Sequence, residues 1–285
     1  MQTQRTNADA TSAANGGKTS GSTTAPSAST SDGKVNVAAA VALDLATTSS
    51  KATIEGTGIT LTSGGLVTLA SSANTDAATS ADGSASHGAT ATIGAAVAIT
   101  LANVTNQALL PAGDTIHAKS LTVSATETVN GADAISTYGA QATSGAGGGK
   151  ISVAGSLGLA VINQTTTAEL AGAVVLTGGD ATITAASNAA STVKAEPTAG
   201  GVTTTNVGVG ASVALNLITD TTSATIDDGV TLTGAGNISL AATAGDAAIT
   251  EAKMERAVAR STSHPPSRSR SRMSPRRRAP GPTVS

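Results

Sequence analysis

The chain repeats one sequence pattern four times, and this repetition limits its possible folds more than any other feature. The pattern starts at Ala39, Ala95, Gly155 and Gly210. Its aligned aliphatic positions, which are 56, 60 and 56 residues apart, are Val41, Val97, Leu157 and Val213. The same three spacings separate Ile54, Leu110, Leu170 and Ile226. A unit that recurs in this way generally buries its apolar surface by stacking against its neighbours.

Each copy begins with a long run in which large aliphatic residues occupy every second position. This alternation is typical of a half-buried strand, because successive side chains point to opposite faces. We therefore predict that the aliphatic face is buried and that the small residues between lie on the opposite face. The residues predicted to be buried are Val41, Leu43, Val97, Ile99, Leu157, Leu159, Val213 and Leu215. Their predicted opposite-face partners are Ala42, Ala98, Gly158 and Ala214.

The composition argues against a thick globular core. The chain has no Phe, Trp or Cys, and Tyr138 is its single aromatic residue. Because aromatic residues usually supply much of the buried area, many small aliphatic groups must do so here, in a thin layered structure. Short strands and Gly or Asp turns follow the long strand in each copy. The predicted fold class is all-β, a repetitive parallel β-solenoid or β-helix, and the alternative is a set of layered antiparallel β-hairpins.

The charge distribution separates a mildly acidic body from a basic tail. Residues 1–250 carry 7 Lys and Arg against 16 Asp and Glu, and residues 251–285 carry 9 against 2. We expect residues 1–33 to be a polar, Ser/Thr/Gly-rich inter-repeat or disordered region and residues 34–250 to be the four-copy array. The Arg/Pro/Ser-rich tail is expected to be disordered, because it has too little apolar surface to offset its ordering entropy. A shifted reading frame explains this tail better than nucleic-acid binding does.

Runs such as GVGASVALNLITDTTSATIDDGVTLTGAGNISLAA from Gly208 resemble the repeats of filamentous-haemagglutinin-like and autotransporter-type adhesins of Gram-negative bacteria. The resemblance covers residues 34–250. It implies a non-catalytic structural stalk at the cell surface or outside the cell, with contacts to a host-cell surface or extracellular matrix made by the full-length protein. The sequence has no secretory signal peptide and no apolar run of the ~20 residues that a membrane helix needs. We therefore expect it to be an internal fragment.

No pattern of residues points to catalysis, so we expect no enzymatic activity, no catalytic residue, no cofactor, no metal and no small-molecule substrate. The three histidines, which do not recur at equivalent positions in the copies, are His87, His117 and His264. Asp227 and Asp228 are predicted to be turn residues, because the spacing of a calcium-binding EF-hand loop is absent. The run GAGGGK at residues 145–150 lacks the spacing of a phosphate-binding loop and is predicted to be an inter-repeat loop.

Threonine pairs keep a second class of function open. The three T-x-T pairs are Thr60 with Thr62, Thr182 with Thr184, and Thr231 with Thr233. Alternation along a strand places the two members of a pair on one face. Flat threonine ladders of this kind resemble those of ice-binding proteins, although the analogy concerns the fold alone. The alternative to a structural stalk is therefore a ligand-binding solenoid surface, for glycans or for ice.

Overall fold

The structure is a computed structural model that describes residues 33–86, 88–129, 131–254 and 256–258. The described residues form strands and no helix. The strands are β1 (Gly33–Thr53), β2 (Thr60–Thr62), β3 (Leu66–Ala73), β4 (Ala77–Ala85), β5 (Gly88–Leu110), β6 (Thr115–Ala118), β7 (Ser120–Glu127), β8 (Ser136–Leu170), β9 (Ala173–Leu176), β10 (Ala181–Ile226), β11 (Leu232–Thr233), β12 (Ile238–Ala252) and β13 (Arg256–Val258). The predicted N-terminal polar region, apart from Gly33, and the tail beyond Val258 lie outside the described residues.

The long strands of the four repeats lie side by side and pair in parallel. They comprise residues 33–53, 91–110, 151–170 and 207–226. Val41 pairs with Val97, Val97 with Leu157, and Leu157 with Val213. The repeat register predicted from the sequence is therefore confirmed. We call this part of the sheet the front wall.

The rest of each repeat folds back and forms a second wall. The short strands β2, β6, β9 and β11 make a separate parallel sheet along one side. The following segments, residues 66–85, 120–146, 181–197 and 238–252, then pair in parallel as the back wall. Strands β8 and β10 run from the back wall into the next front-wall strand, so both walls belong to one nine-stranded sheet.

The direction of the paired strands distinguishes a parallel arrangement from the alternative, layered antiparallel hairpins. Parallel pairs connect successive repeats throughout both walls, and the described antiparallel pair joins β13 to residues 207–209 of β10. The all-β class is confirmed, and layered antiparallel hairpins do not describe these residues. Strand β12 extends to Ala252 and β13 covers residues 256–258, so the first residues of the predicted disordered tail are strands.

The face of the front wall that lies inside is the opposite of the predicted one. Val41 is 69% exposed and Leu43 is 64% exposed, whereas Ala98 is fully buried. The eight aliphatic residues do share one face, but that face points outward; Val41, Leu43, Leu157, Val213 and Leu215 are exposed, and Val97, Ile99 and Leu159 are partly exposed. Of their partners, Ala98 and Gly158 are buried and Ala42 and Ala214 are partly buried. The prediction that the aliphatic face is buried was therefore wrong.

The small interior side chains are explained by the close approach of the two walls. A Cβ atom added to Gly83 would lie 1.6 Å from the carbonyl oxygen of Ala95, and one added to Gly94 would lie 2.0 Å from that of Gly145. Backbones this close leave no space for Val or Leu between them. Gly, Ala, Ser and Thr fit, and they fill most of the interior between the walls.

The interior widens beside the short strands, where a core of larger aliphatic side chains forms. Leu110, Ile116, Leu170, Val174 and Ile183 are all fully buried there. They stack across repeats because the short strands and both walls keep the same register. At this side of the molecule the packing is that of an ordinary hydrophobic core.

A layer of hydrogen-bonded polar side chains separates this aliphatic core from the small-residue interior. Ser71 donates to Asn106 Oδ1 at 2.6 Å, and the hydroxyl of Tyr138 donates to Gln164 Oε1 at 3.1 Å. The amide of Gln164 in turn donates to Glu127 Oε1 at 3.2 Å. Such partners offset the cost of removing polar groups from water, which is otherwise about 1–3 kcal/mol for each buried group.

Candidate binding surface

The outer face of the front wall carries a continuous block of large aliphatic side chains, which we call the aliphatic block. It contains nineteen residues, which are Val35, Val37, Val41, Leu43, Leu45, Ile93, Val97, Ile99, Leu101, Ile151, Val153, Leu157, Leu159, Val161, Val207, Val209, Val213, Leu215 and Leu217. The parallel register places equivalent residues of the four repeats beside one another. Alternation keeps them on one face.

The size of the aliphatic block follows from strand geometry. The block spans ten residue steps, from Val35 to Leu45 in the first repeat, on four strands. At about 3.3 Å per residue and about 4.8 Å per strand, it covers about 600 Å². This equals the upper end of the largest apolar patches on typical monomers, and patches of that size commonly mark binding sites.

The aliphatic block is uncharged and ends at a polar region on the same face. Within the block, one column across the four strands, at positions 39, 95, 155 and 211, consists of Ala or Gly. Next to Leu45 and its equivalents the face continues with Thr47, Asn103, Asn163 and Thr219. Asn163 Nδ2 donates to Asn103 Oδ1 at 3.1 Å, so this polar column is linked between repeats. A ligand of the block must therefore be apolar and broad.

The predicted turn residues and the described histidine do not form a catalytic or metal-binding group. Asp227 and Asp228 are exposed and precede Gly229, whose φ of 81° is that of a turn. His117 lies on β6, partly buried, between Thr62 and Val175 of the neighbouring repeats. Within the described ranges no three His, Cys, Asp or Glu side chains come together as metal ligands. His87 and His264 lie outside the described residues.

The Gly-rich run at residues 145–150 lies inside a strand, not in a loop as predicted. It is part of β8, where the back wall passes into the front wall. A Cβ added to Gly145 would lie 2.3 Å from Thr198 Oγ1. A larger side chain at Gly145 would therefore press on Thr198, and Gly148 adopts a positive φ of 92° that favours glycine.

The three threonine pairs do not form one surface, because Thr233 and the first pair lie in the side sheet and Thr182 and Thr184 lie in the nine-stranded sheet. Thr60 and Thr62 belong to β2 of the side sheet, whereas Thr182 and Thr184 belong to the back wall. Thr62 pairs with His117, so the side sheet carries no continuous threonine ladder. This arrangement does not favour the flat threonine surface expected for ice binding.

Burial shifts the pKa of ionisable groups in the polar layer, and it raises the pKa of Tyr138 to about 12. Glu127 accepts hydrogen bonds from Gln164 and from the backbone N–H of Asn188. Burial nevertheless raises the pKa of Glu127 above its ordinary value. Burial and the neighbouring Asp220 likewise raise the pKa of Asp246. The shift of Glu127 is explained by its place in the polar layer, and the layer does not resemble a catalytic site with a positioned nucleophile and base.

An open polar cavity of about 410 Å³ lies beside the break between β3 and β4 in the first repeat. Asn74, Asp76 and Asp133 are among its lining residues. Asp76 already accepts a hydrogen bond from the backbone N–H of Thr137, and Asp133 accepts one from that of Ile135. Both carboxylates therefore have a role in local backbone structure.

No helix among the described residues is long and apolar enough to cross a bilayer. The chain matches no family model, no curated protein and no solved structure.

Proposed function

We propose that this chain is a non-catalytic structural segment of a secreted bacterial surface adhesin and that its repeats form a parallel β-solenoid. The observation that carries the proposal is the pairing of each part of a repeat with the same part of the next repeat, in parallel and in register. Such a stack can be lengthened by adding repeats, because each repeat contacts only its neighbours. The adhesin-like sequence pattern supports the cellular role.

The dimensions of one repeat suit a segment that displays surface. Each repeat uses 56 or 60 residues, yet it lengthens the stack by one strand spacing, about 4.8 Å. Its long strand of about 20 residues spans about 66 Å in the other direction. Each added repeat therefore contributes a wide strip of lateral surface but only a small increase in the length of the stack. Contacts with a host surface would be made along these faces.

Surface accessibility in the bacterium that carries the gene tests this proposal. Antibodies raised against the purified chain should label intact cells, and proteinase K added outside the cells should remove the label. A cytosolic protein of the same cells serves as the control and should resist the protease. Labelling that requires permeabilised cells would refute the surface assignment.

A further inference from the structure

We propose that two copies of this chain associate through their aliphatic blocks, one front wall packed face to face on the other. The proposal does not depend on the adhesin role, because it rests on the exposed surface alone. Val41 is 69% exposed, Leu45 is 66% exposed and Val213 is 58% exposed. Two apolar sheet faces pack about 10 Å apart, as in a β-sandwich.

The area of the aliphatic block is sufficient for a stable dimer. If each copy buries about 600 Å², the interface totals about 1,200 Å², the lower end of the standard range for specific interfaces. Homodimer interfaces are also more apolar than other protein surfaces. A block with no charged side chain leaves no unpaired charge when it is buried, so its burial carries no cost of removing a charge from water.

The ends of this chain lack the residues needed to cover the block. Residues 1–32 contain no Val, Leu or Ile, and residues 259–285 contain Val284 alone among these types. Strand β13 pairs with the edge of the front wall at residues 207–209 and adds a strand there, so it does not lie across the face. An apolar and uncharged face is matched by a second copy of itself, which is the usual arrangement in a two-fold dimer.

Paired lysine substitutions distinguish this dimer from other forms of association. Val213→Lys with Leu215→Lys places two charges in the block, at side chains that are 58% and 50% exposed. Thr219→Lys with Thr221→Lys is the matched control, because these exposed residues lie on the same strand and face but in the polar region. Neither pair enters the interior, so all three proteins should share one circular dichroism spectrum.

Sedimentation velocity of the full chain at about 20 µM should give twice the monomer mass for the wild type and for the threonine control, and the monomer mass for the block variant. A monomeric wild type would overturn the proposal. So would a block variant that assembles as the wild type does, since association would then use another surface such as an open strand edge. Co-sedimentation of a monomeric wild type with phosphatidylcholine vesicles would identify lipid as the occupant of the block and would also overturn it.

Cross-linking checks which faces meet, even if a lysine variant folds poorly. The chain contains no cysteine, so Leu157→Cys introduces a unique thiol at an exposed position in the block. A bismaleimide spanning about 10 Å, the distance between packed sheets, should join two copies of this variant. Ser80→Cys, on the outer face of the back wall, should remain uncross-linked. Equal cross-linking of both variants would indicate non-specific aggregation and would reject the face-to-face dimer.

Discussion

Single glycines and alanines determine how closely the two walls pack. A Cβ added to Gly94 would lie 2.0 Å from the carbonyl oxygen of Gly145 on the back wall. Because that neighbour is backbone, relief requires the walls to separate. The interior between the two walls therefore requires small side chains, although the sequence is rich in larger aliphatic residues.

Gly94→Ala should destabilise the protein by about 1–3 kcal/mol, the usual cost of overpacking a tightly packed interior. Gly155→Ala is the matched control on the next strand of the same wall, since its added Cβ would meet its nearest atom, the carbonyl oxygen of Ala211, at 4.0 Å. The control should be neutral or slightly stabilising because alanine restricts the unfolded chain. Urea unfolding of both variants measures the difference, and equal stabilities would show that the walls are farther apart than described.

The charge of Glu127 should make stability depend on pH. Burial raises its pKa in the folded chain, so folding favours the protonated carboxyl. Its stabilising contribution is complete below the unfolded pKa of about 4.3 and is lost as the pH rises through the folded pKa. Glu127→Gln, which is neutral at every pH, should therefore melt at a higher temperature than the wild type at pH 7.

The advantage of Glu127→Gln should shrink as the pH is lowered towards about 4, where the wild-type carboxyl is also neutral. The amide oxygen can still accept from Gln164 and from Asn188 N–H, as Glu127 Oε1 does. Melting curves between pH 4 and pH 8 provide the measurement. A constant difference across this range would show that proton uptake by Glu127 is not linked to folding.

At the scale of the strands, the sequence predicts which residues of neighbouring strands pair, but it does not predict which face of each strand is buried. The positions of Val41, Val97, Leu157 and Val213 predict the register of the front wall, because identical spacing must align equivalent residues. The same alternation leaves the buried face undecided, since one face is Val and Leu and the other is mainly Ala, Gly, Ser and Thr. The recurrence of small residues at Gly94, Ala154 and Gly210 was the signal that two backbones approach closely on that side. The aliphatic block was missed because the face that carries Val and Leu was predicted to be buried.

The turn before β6 connects three repeats through one residue. Asp114 is buried, and its Oδ1 accepts a hydrogen bond from the backbone N–H of Ile59 in the preceding repeat at 2.8 Å. Its own carbonyl oxygen accepts one from Ala173 N–H in the following repeat at 2.9 Å. Sequence reasoning assigns Asp in such turns to local backbone contacts. Here the side chain instead accepts a hydrogen bond from the backbone of the neighbouring repeat.

Asp114→Ala should lower the free energy of unfolding by about 0.5–1.5 kcal/mol, because the hydrogen bond from the N–H of Ile59 is lost. Asp228→Ala, in the corresponding turn of the fourth repeat, changes an exposed side chain. This control should remain within about 0.5 kcal/mol of the wild type. Chemical denaturation of both variants measures the contrast. If the two variants were equally stable, the inter-repeat hydrogen bond would contribute nothing.

At the scale of the whole molecule, the first and fourth repeats each have a neighbouring repeat on one side only among the described residues. Leu240 of the fourth repeat is 46% exposed, although it pairs with Ile183, which is fully buried in the third. The repeats in the middle of the stack are therefore better covered than those at its ends. Stability should rise with the number of repeats. An inserted repeat forms an interface with the repeat on each side and interrupts one existing interface, so the stack gains one interface in total.

Inserting a second copy of residues 151–206 between Asn206 and Val207 tests this, since 56 residues is the spacing of the third and fourth front-wall strands. The five-repeat protein should have a higher melting temperature, and its denaturant m-value should increase by about a quarter with the added buried surface. The matched control is the same insertion without Ala160, which shifts the rest of that long strand by one residue. The shift turns the buried side chains of Ile162 and Leu170 outward and those of Val161 and Glu169 inward, so this protein should be less stable than the four-repeat chain. If the two insertions behaved alike, register between repeats would not be what holds the stack together.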